Sequence, residues 1–335
     1  MKSERPSIVI TGTGSYLPDR ILTNADLEAM VDTSDEWIRT RTGVRERHLA
    51  EEGEGCCHLA AQAGRRALER AGVAPKEVDL IILGTFTPDL YLPSGACLVQ
   101  EMLGATRAVC FDLAAACSGF VYALETARCL IAAGGYRTAL VIGAEKLSPF
   151  VDWEDRRTCV LFGDGAGAVV LQGGCAGMGR GLIANTMGSD GRLSKLLTIP
   201  GLGSRRRLTH EQIDAKDHCI QMAGNEVFKH AVRCMCQAAQ QVLTEAGTTM
   251  DDVALVVPHQ ANIRIIKAIE SRLGGSEDKF YVNLDRIGNI SGATIPVALD
   301  EAARAGRIAK GDQVLCVAFG AGFTWGASLL EWGYE

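Results

Sequence analysis

The chain has 335 residues, among them 38 glycines, 9 prolines and 12 cysteines, and 47% of its residues are hydrophobic. That length and composition fit a Gly-rich α/β protein with a substantial core and exclude a disordered chain. A net charge of −6 argues against a nucleic-acid binder dominated by phosphate contacts, though not against a local basic patch.

The N-terminal stretch to Gly14 has a charged start but only a short apolar run, Ile8 to Ile10, before turn residues. No secretory signal is read there. No apolar span approaches ~20 residues, so no membrane-spanning helix is expected. The expectation is a cytoplasmic protein with reduced cysteines. Cys56-Cys57 and Cys234-x-Cys236 are the only cysteine clusters; neither has the paired spacing of a zinc site, so no metal is expected.

Ser7 to Gly12 reads as a strand, closed by Gly12-Thr13-Gly14. A dinucleotide fingerprint would need a third glycine near Leu17, and Pro18 would spoil the helix that must follow. That reading fails. Thr33-Ser34-Asp35 looks like a helix cap, and Arg39, Arg41, Arg45 and Arg47 then crowd together. Such a charge run is ordinarily a solvated face. A helix is predicted over about His58 to Ala71 and a strand over Val78 to Leu83.

Next comes an apolar strand, Ala108 to Leu113, then Ala114, Ala115 and Ala116, then a helical pattern from Ser118. Leu124, Ala127, Leu130 and Ile131 mark its apolar face. Cys117 therefore falls at a strand-to-helix junction, where free N–H groups and the helix dipole favour an anion. A thiol there is expected to have a lowered pKa and to be a nucleophile. Alone, it would be one more buried cysteine behaving as a small hydrophobe.

The helix–strand unit recurs. Ala67 to Gly72 followed by Val78 to Ile82 is echoed by Val242 to Gly247 followed by Val253 to Val257, 175 residues later. Cys117-Ser-Gly119 leads through a helix to the strand Ala139 to Gly143. Ile290-Ser-Gly292 leads through a helix (Pro296 to Arg304) to Val314 to Gly320, at offsets of 173 and 177. Two related halves are implied, residues 1–173 and 174–335, divided near the turn-rich Gly173 to Gly177. Each should build a mostly parallel sheet with helices on its faces. Gly188 to Lys216, with Arg205-Arg206-Arg207, reads as an insertion or loop.

Related halves would bring equivalent strand ends together, where ligands bind. His259 follows the strand Ala254 to Val257, and its imidazole can donate or accept a proton. Asn289 lies in the stretch that echoes the Cys117 elbow, and an amide donor beside an imidazole can hold a developing enolate. Singly, the first suits a structural hydrogen-bonder and the second a turn. Jointly with Cys117, they describe a catalytic site.

At this point the residues resemble a known family. Asp35-Glu-Trp-Ile-Arg-Thr-Arg-Thr-Gly43, Ala114-Ala-Ala-Cys-Ser-Gly119, Phe162-Gly-Asp-Gly-Ala-Gly167, His259-Gln-Ala-Asn-Ile-Arg264, Gly288-Asn-Ile-Ser-Gly292 and Phe319-Gly-Ala-Gly-Phe-Thr-Trp-Gly326 occur in order. From Ile8 to Trp332 the chain is similar to β-ketoacyl-acyl-carrier-protein synthase III, the initiating condensing enzyme of fatty-acid synthesis. The resemblance implies an α/β protein with the duplicated, five-layered αβαβα thiolase-like fold, and a homodimer. It implies Cys117, His259 and Asn289 as catalytic residues, acyl-CoA and malonyl-acyl carrier protein as substrates, and no cofactor.

By the same resemblance, Thr33, Trp37, Arg41 and Arg156 grip the coenzyme A head group. Asn225, Phe228, Ala261 and Asn262 line the pantetheine tunnel, and Leu92 lines the acyl pocket. The oxyanion hole is expected from the backbone of Cys117 and of Ala321 in the Gly320-Ala321-Gly322 turn. Gln260 to Arg264 would dock the carrier protein. Lys229 and Arg233 stand four apart on a predicted helix from Met222 to Ala246; with Arg264 and Lys267 they form a candidate basic patch for that acidic partner. Rival readings are a thiolase-fold synthase or acyltransferase of specialised metabolism, and a non-catalytic scaffold. A biosynthetic thiolase would bring a second cysteine into Phe319 to Gly326, which has none.

Overall fold

Runs of apolar residues such as Leu80-Ile-Ile-Leu83 and Ala139-Leu-Val-Ile142 lack polar alternation, as strands covered on both faces do. The structure, a computed structural model, describes residues 7–174, 179–205 and 208–334. Its two large sheets use, in chain order, β1 (Ile8–Tyr16), β2 (Leu80–Gly84), β3 (Val109–Leu113), β4 (Thr138–Lys146), β5 (Asp164–Gly173), β6 (Leu182–Ser189), β7 (Val253–Pro258), β8 (Gln313–Gly320) and β9 (Thr324–Glu331). The helices that frame them are α1 (Asp35–Thr42), α2 (Cys56–Ala71), α3 (Gly95–Leu103), α4 (Gly119–Ala132), α5 (Gly224–Ala246), α6 (Ile263–Leu273) and α7 (Thr294–Arg304).

One sheet has the order β1-β5-β4-β2-β3 and the other β6-β9-β8-β7. Directions match as well: antiparallel across the first two pairings of each, parallel from β4 to β2 and from β8 to β7. Where β3 runs beside β2, a parallel bridge joins Val256 to Phe280. The same topology is built twice.

Helices α4 and α7 pack between the two sheets, through Phe120, Leu124, Ile295 and Leu299. Helices α2 and α3 cover the outer face of the first sheet, and α5 and α6 that of the second. The layers therefore run α, β, α, β, α. Pro296 is tolerated inside α7 because it lies in the first turn, where N–H groups lack intrahelical partners anyway.

Both central helices are entered through a one-turn 3-10 segment, Ala116–Ser118 and Ser291–Ala293. Each opens on a non-glycine residue in the left-handed region, Ala116 at φ 46° and Ser291 at φ 51°. The backbone thus aligns the elbows 175 residues apart, pairing Cys117 with Gly292. The offset of 173 came from matching Ser-Gly to Ser-Gly. It does not hold.

Arg47 is the other correction. Far from solvated, it is fully buried, and its guanidinium donates to Leu22 O, Asn24 Oδ1 and Val160 O. Burial lowers its pKa to about 10. It ties the strand Glu46–His48 to the segment before β5, behind Asn289. Of the expected boundary, Gly173 ends β5, while Cys175 to Gly177 lie outside the described residues, as do Arg206 and Arg207.

Candidate active site

The elbow before α4, the end of β7 and the elbow before α7 meet at a cavity of about 1090 Å³ lined by Cys117, His259 and Asn289. The three residues singled out in the sequence are brought together. Gly320 makes this possible for Cys117, because a Cβ there would stand 2.7 Å from Cys117 N. Gly143 repeats the relation in the first sheet, where a Cβ would stand 2.6 Å from Gly292 O. Each sheet carries a glycine against which the other half's elbow is seated.

Cys117 opens onto the cavity floor and is otherwise enclosed by protein. Burial pushes its thiol up to about 12, and the Ser291 hydroxyl pulls the other way. The lowered pKa expected from the helix start is therefore not met. A helix dipole is worth about 0.3–1 kcal/mol, less than the 1.36 kcal/mol of one pKa unit. Desolvation wins.

His259 is buried, and its Nδ1 lies 2.7 Å from Thr294 Oγ1. Burial takes its pKa down to about 3, so the ring is neutral. With Nδ1 engaged, Nε2 is the nitrogen left for the cavity. Asn289 is clamped on both sides by the segment before β5: its N–H donates to Leu161 O (2.8 Å), and its carbonyl accepts from Gly163 N–H (3.1 Å). Its Oδ1 accepts the Ser291 N–H at 2.9 Å, which leaves the Nδ2 protons for the cavity. A neutral imidazole and an amide are two uncharged polar groups aimed at the same space.

At the entrance, Trp37 on α1 carries Arg41 on one contact (5.9 Å to the ring centroid) and Arg156 on another (5.2 Å). Trp37, Arg41, Asn225, Phe228, Ala261, Asn262 and Ala321 line the cavity. Asn262 caps α6 and donates to Arg41 O. Arg156 does not reach the lining; it bonds Asp32 and stacks on Trp37. Thr33 is also absent from the lining, and its Oγ1 is buried without a partner.

The expectation for Gln260 is overturned. Gln260 is fully buried; its Nε2 donates to Pro258 O and Tyr281 O, and its Oε1 accepts from Asn283 and Leu284 N–H. It braces the chain and faces no partner. Leu92 is 89% exposed and lies outside the cavity, whose wall there is Phe86 to Tyr91. The turn before Pro93 carries it outward. Of the basic residues, Arg264 lines the cavity with its guanidinium 5.7 Å from the Phe228 ring, and Lys267, Lys229 and Arg233 are exposed. The presumed insertion supplies Leu197, Thr198, Ile199 and Leu202 to the cavity wall.

Residues 111–191 match the family described as 3-oxoacyl-(acyl-carrier-protein (ACP)) synthase III, and residues 243–332 match the description of its C-terminal part. The β-ketoacyl-(acyl-carrier-protein) synthase III of Desulfitobacterium hafniense is 54% identical over 326 residues, covering 97% of this chain and 98% of its own. The chain belongs to the synthase III family. A crystal structure of 3-oxoacyl-(acyl-carrier-protein) synthase III from Aquifex aeolicus superposes with a TM-score of 0.88 at 48% identity, covering 97% of this chain and 100% of that one. The priming β-ketosynthase of a polyketide pathway superposes at 0.90 and 35% identity, covering 99% and 98%. As a synthase III family member, the protein is a condensing acyltransferase of fatty-acid synthesis with the thiolase fold.

Sequence reasoning about this synthase missed the polar residues behind Cys117 and His259. Thr294 holds His259, and Ser291 and Glu145 stand behind Cys117. A charged residue ending the apolar run Ala139 to Ala144 was the signal available for Glu145. Among the described residues there is no cluster of His, Cys, Asp or Glu able to hold a metal ion.

Proposed function

We propose that the chain joins an acyl-CoA primer to malonyl-carrier protein through an acyl-Cys117 intermediate, giving a β-ketoacyl-carrier protein. The observation that carries this reading is the convergence of Cys117, His259 and Asn289 on one cavity. The Cys117 sulfur attacks the primer thioester and coenzyme A leaves. The backbone N–H groups of Cys117 and Ala321 serve the tetrahedral oxyanion. Malonyl-carrier protein then places its thioester oxygen between the Asn289 amide and His259 Nε2, which carries the ring proton once the Thr294 hydroxyl turns from Ser291 O to donate to Nδ1. As carbon dioxide leaves, those donors stabilise the enolate, and its carbon attacks the acyl-Cys117 carbonyl. The reading calls on no metal or organic cofactor, because two fixed N–H donors take the developing charge.

Trp37, Arg41 and Arg156 suit a nucleotide head group, offering an aromatic face with two cations beside it. Thr33 joins them in this proposal, and Asn225, Phe228, Ala261 and Asn262 take the pantetheine arm. Arg264, Lys267, Lys229 and Arg233 are the proposed carrier-protein patch. The two halves are read as 1–173 and 174–335. A homodimer in the cytoplasm is part of the same reading: β3 is an edge strand with Val109 exposed, and Leu90, Tyr91 and Leu92 add an exposed apolar loop. No helix among the described residues is long and apolar enough to cross a membrane.

Cys117→Ala tests the reading. Wild type incubated with acetyl-CoA should show one acyl adduct by mass spectrometry, and the variant none. An adduct persisting in the variant would move the nucleophile to another cysteine. The likeness to a priming polyketide synthase keeps specialised primers in view, and a panel of acyl-CoA chain lengths decides between them by product mass.

A further inference from the structure

The two groups proposed to meet the enolate oxygen are both held by one short stretch, Asn289 to Thr294. Ser291 N–H donates to Asn289 Oδ1 at 2.9 Å, which settles the sense of that amide. Three residues on, Thr294 Oγ1 lies 2.7 Å from His259 Nδ1, 3.0 Å from Ser291 O and 3.3 Å from Gln260 N. All four of these residues are buried.

A threonine hydroxyl has one proton to give and two lone pairs to offer. The Gln260 N–H occupies one lone pair. Ser291 O can only accept, whereas Nδ1 accepts or donates according to the tautomer of the ring. If the hydroxyl proton goes to Ser291 O, Nδ1 must hold the ring proton and Nε2 is bare. If it goes to Nδ1, the ring proton sits on Nε2. Two observations favour the second arrangement. The contact to Nδ1 is the shorter one. Ser291 O also accepts the Thr294 backbone N–H at the entry to α7, so the hydroxyl can leave that carbonyl without orphaning it.

We propose that Thr294 is the positioning residue that makes His259 a donor: its hydroxyl donates to Nδ1 and so holds the ring proton on Nε2. The inference rests on His259 serving the enolate, as in the proposed function.

A hydroxyl at the start of a helix often serves only the local backbone. The first half of the chain argues against that here. Helix α4 is entered through the same kind of elbow, and its first residue, 175 positions before Thr294, is Gly119. The same turn is built there with no side chain at all. The fold does not need the hydroxyl, and the one present in the second half stands against the histidine. Because burial keeps that ring neutral, with a pKa of about 3, its tautomer alone decides whether Nε2 donates or accepts.

Thr294→Val keeps the branched shape and removes the hydroxyl, and Thr294→Ser keeps the hydroxyl. Three readouts are compared at pH 7: carbon dioxide release from malonyl-carrier protein, acylation of Cys117 by acetyl-CoA, and the ¹⁵N spectrum of enzyme labelled at its histidine rings. His259→Ala identifies the His259 signals. In wild type Nδ1 should be bare and Nε2 protonated. Thr294→Val should mix the tautomers and lower kcat for decarboxylation roughly 10- to 10²-fold, less than outright loss of a donor. Its KM for malonyl-carrier protein and its acylation should stay within a few-fold of wild type, and Thr294→Ser should restore both rate and spectrum. A wild-type ring protonated on Nδ1 overturns the proposal, even if Thr294→Val does not fold. A folded Thr294→Val with wild-type decarboxylation and an unchanged spectrum overturns it as well. So does a Thr294→Ser enzyme as slow as Thr294→Val, which would make the methyl group the part that matters. A wild type that releases no carbon dioxide sinks the synthase reading, and the ring spectra then judge Thr294 by themselves.

Discussion

Gly320 is the floor on which Cys117 rests. A Cβ at 320 would meet Cys117 N at 2.7 Å and Cys117 Cβ at 3.2 Å, and backbone atoms cannot swing aside as a side-chain tip can. Gly320→Ala should therefore push the nucleophile off its position by a fraction of an ångström or more. Misplacement on the scale of 1 Å costs about 10²-fold in rate, so acetyl-CoA acylation of Cys117 should fall by one to two orders of magnitude. Gly135→Ala, with nothing within 4 Å of its Cβ, should leave it unchanged. A Gly320→Ala enzyme acylating like wild type would mean that the elbow moves freely.

Two buried groups of the site pull stability in opposite directions with pH. His259 titrates at about 3 instead of 6.5: the unfolded chain takes up the proton first, so its contribution falls as pH drops below 6.5. Glu145 titrates at about 8 instead of 4.5: the unfolded chain ionises first, so its contribution falls as pH rises from 4.5 to 8. Each slope is about 1.36 kcal/mol per pH unit, and between 4.5 and 6.5 they cancel. Glu145→Gln removes only one of them. The stability of Glu145→Gln relative to wild type should rise steadily from pH 4.5 to 8 in denaturant unfolding. A flat difference curve would return Glu145 to an ordinary carboxyl.

The convergence of Cys117, His259 and Asn289 was legible because each lies just before a helix or its 3-10 entry turn, and an offset of about 175 residues between the halves placed the two elbows face to face. Duplicated topology could be read in the same way, since Gly72 and Gly247 end equivalent helices. Side-chain direction could not. Arg47 lies among surface-like arginines, Gln260 beside His259, and Leu92 in a loop whose neighbours Leu90 and Tyr91 do line the cavity. Burial at those positions is set by segments far away in sequence, such as Val160 and Tyr281, which local spacing does not reveal. The thiol pKa failed for a related reason: the helix start is visible in sequence, and the enclosing walls are not.

His259→Ala and Asn289→Ala should part company with Cys117→Ala. The amide of Asn289 is oriented by Ser291 N–H and the ring of His259 by Thr294 Oγ1, so each removes one aimed donor from the enolate. Loss of one such donor costs about 10²–10³ in rate. Carbon dioxide release from malonyl-carrier protein should fall by that factor in both variants, while the acyl adduct on Cys117 still forms. A variant that decarboxylates normally but cannot be acylated would reverse the roles assigned here.

The proposed carrier-protein patch can be graded by what each cation already holds. Lys229 is paired with Glu226 at 2.8 Å and Arg233 lies 2.9 Å from His230, so part of the Lys229 charge is locally neutralised. Arg264 packs over Phe228 at the mouth, and reversing its charge would also disturb the wall of the tunnel. Lys267, exposed on α6, is the cleaner probe. Rim charges act mainly on encounter rate and its salt dependence. Lys267→Glu should raise the apparent KM for malonyl-carrier protein, more at low salt, with acetyl-CoA acylation nearly intact; Lys229→Glu should do the same more weakly. Gln260→Ala should behave otherwise, since it leaves four buried backbone groups without partners and costs on the order of 1–3 kcal/mol of stability. Equal losses toward both substrates in Lys267→Glu would place the docking surface on another face.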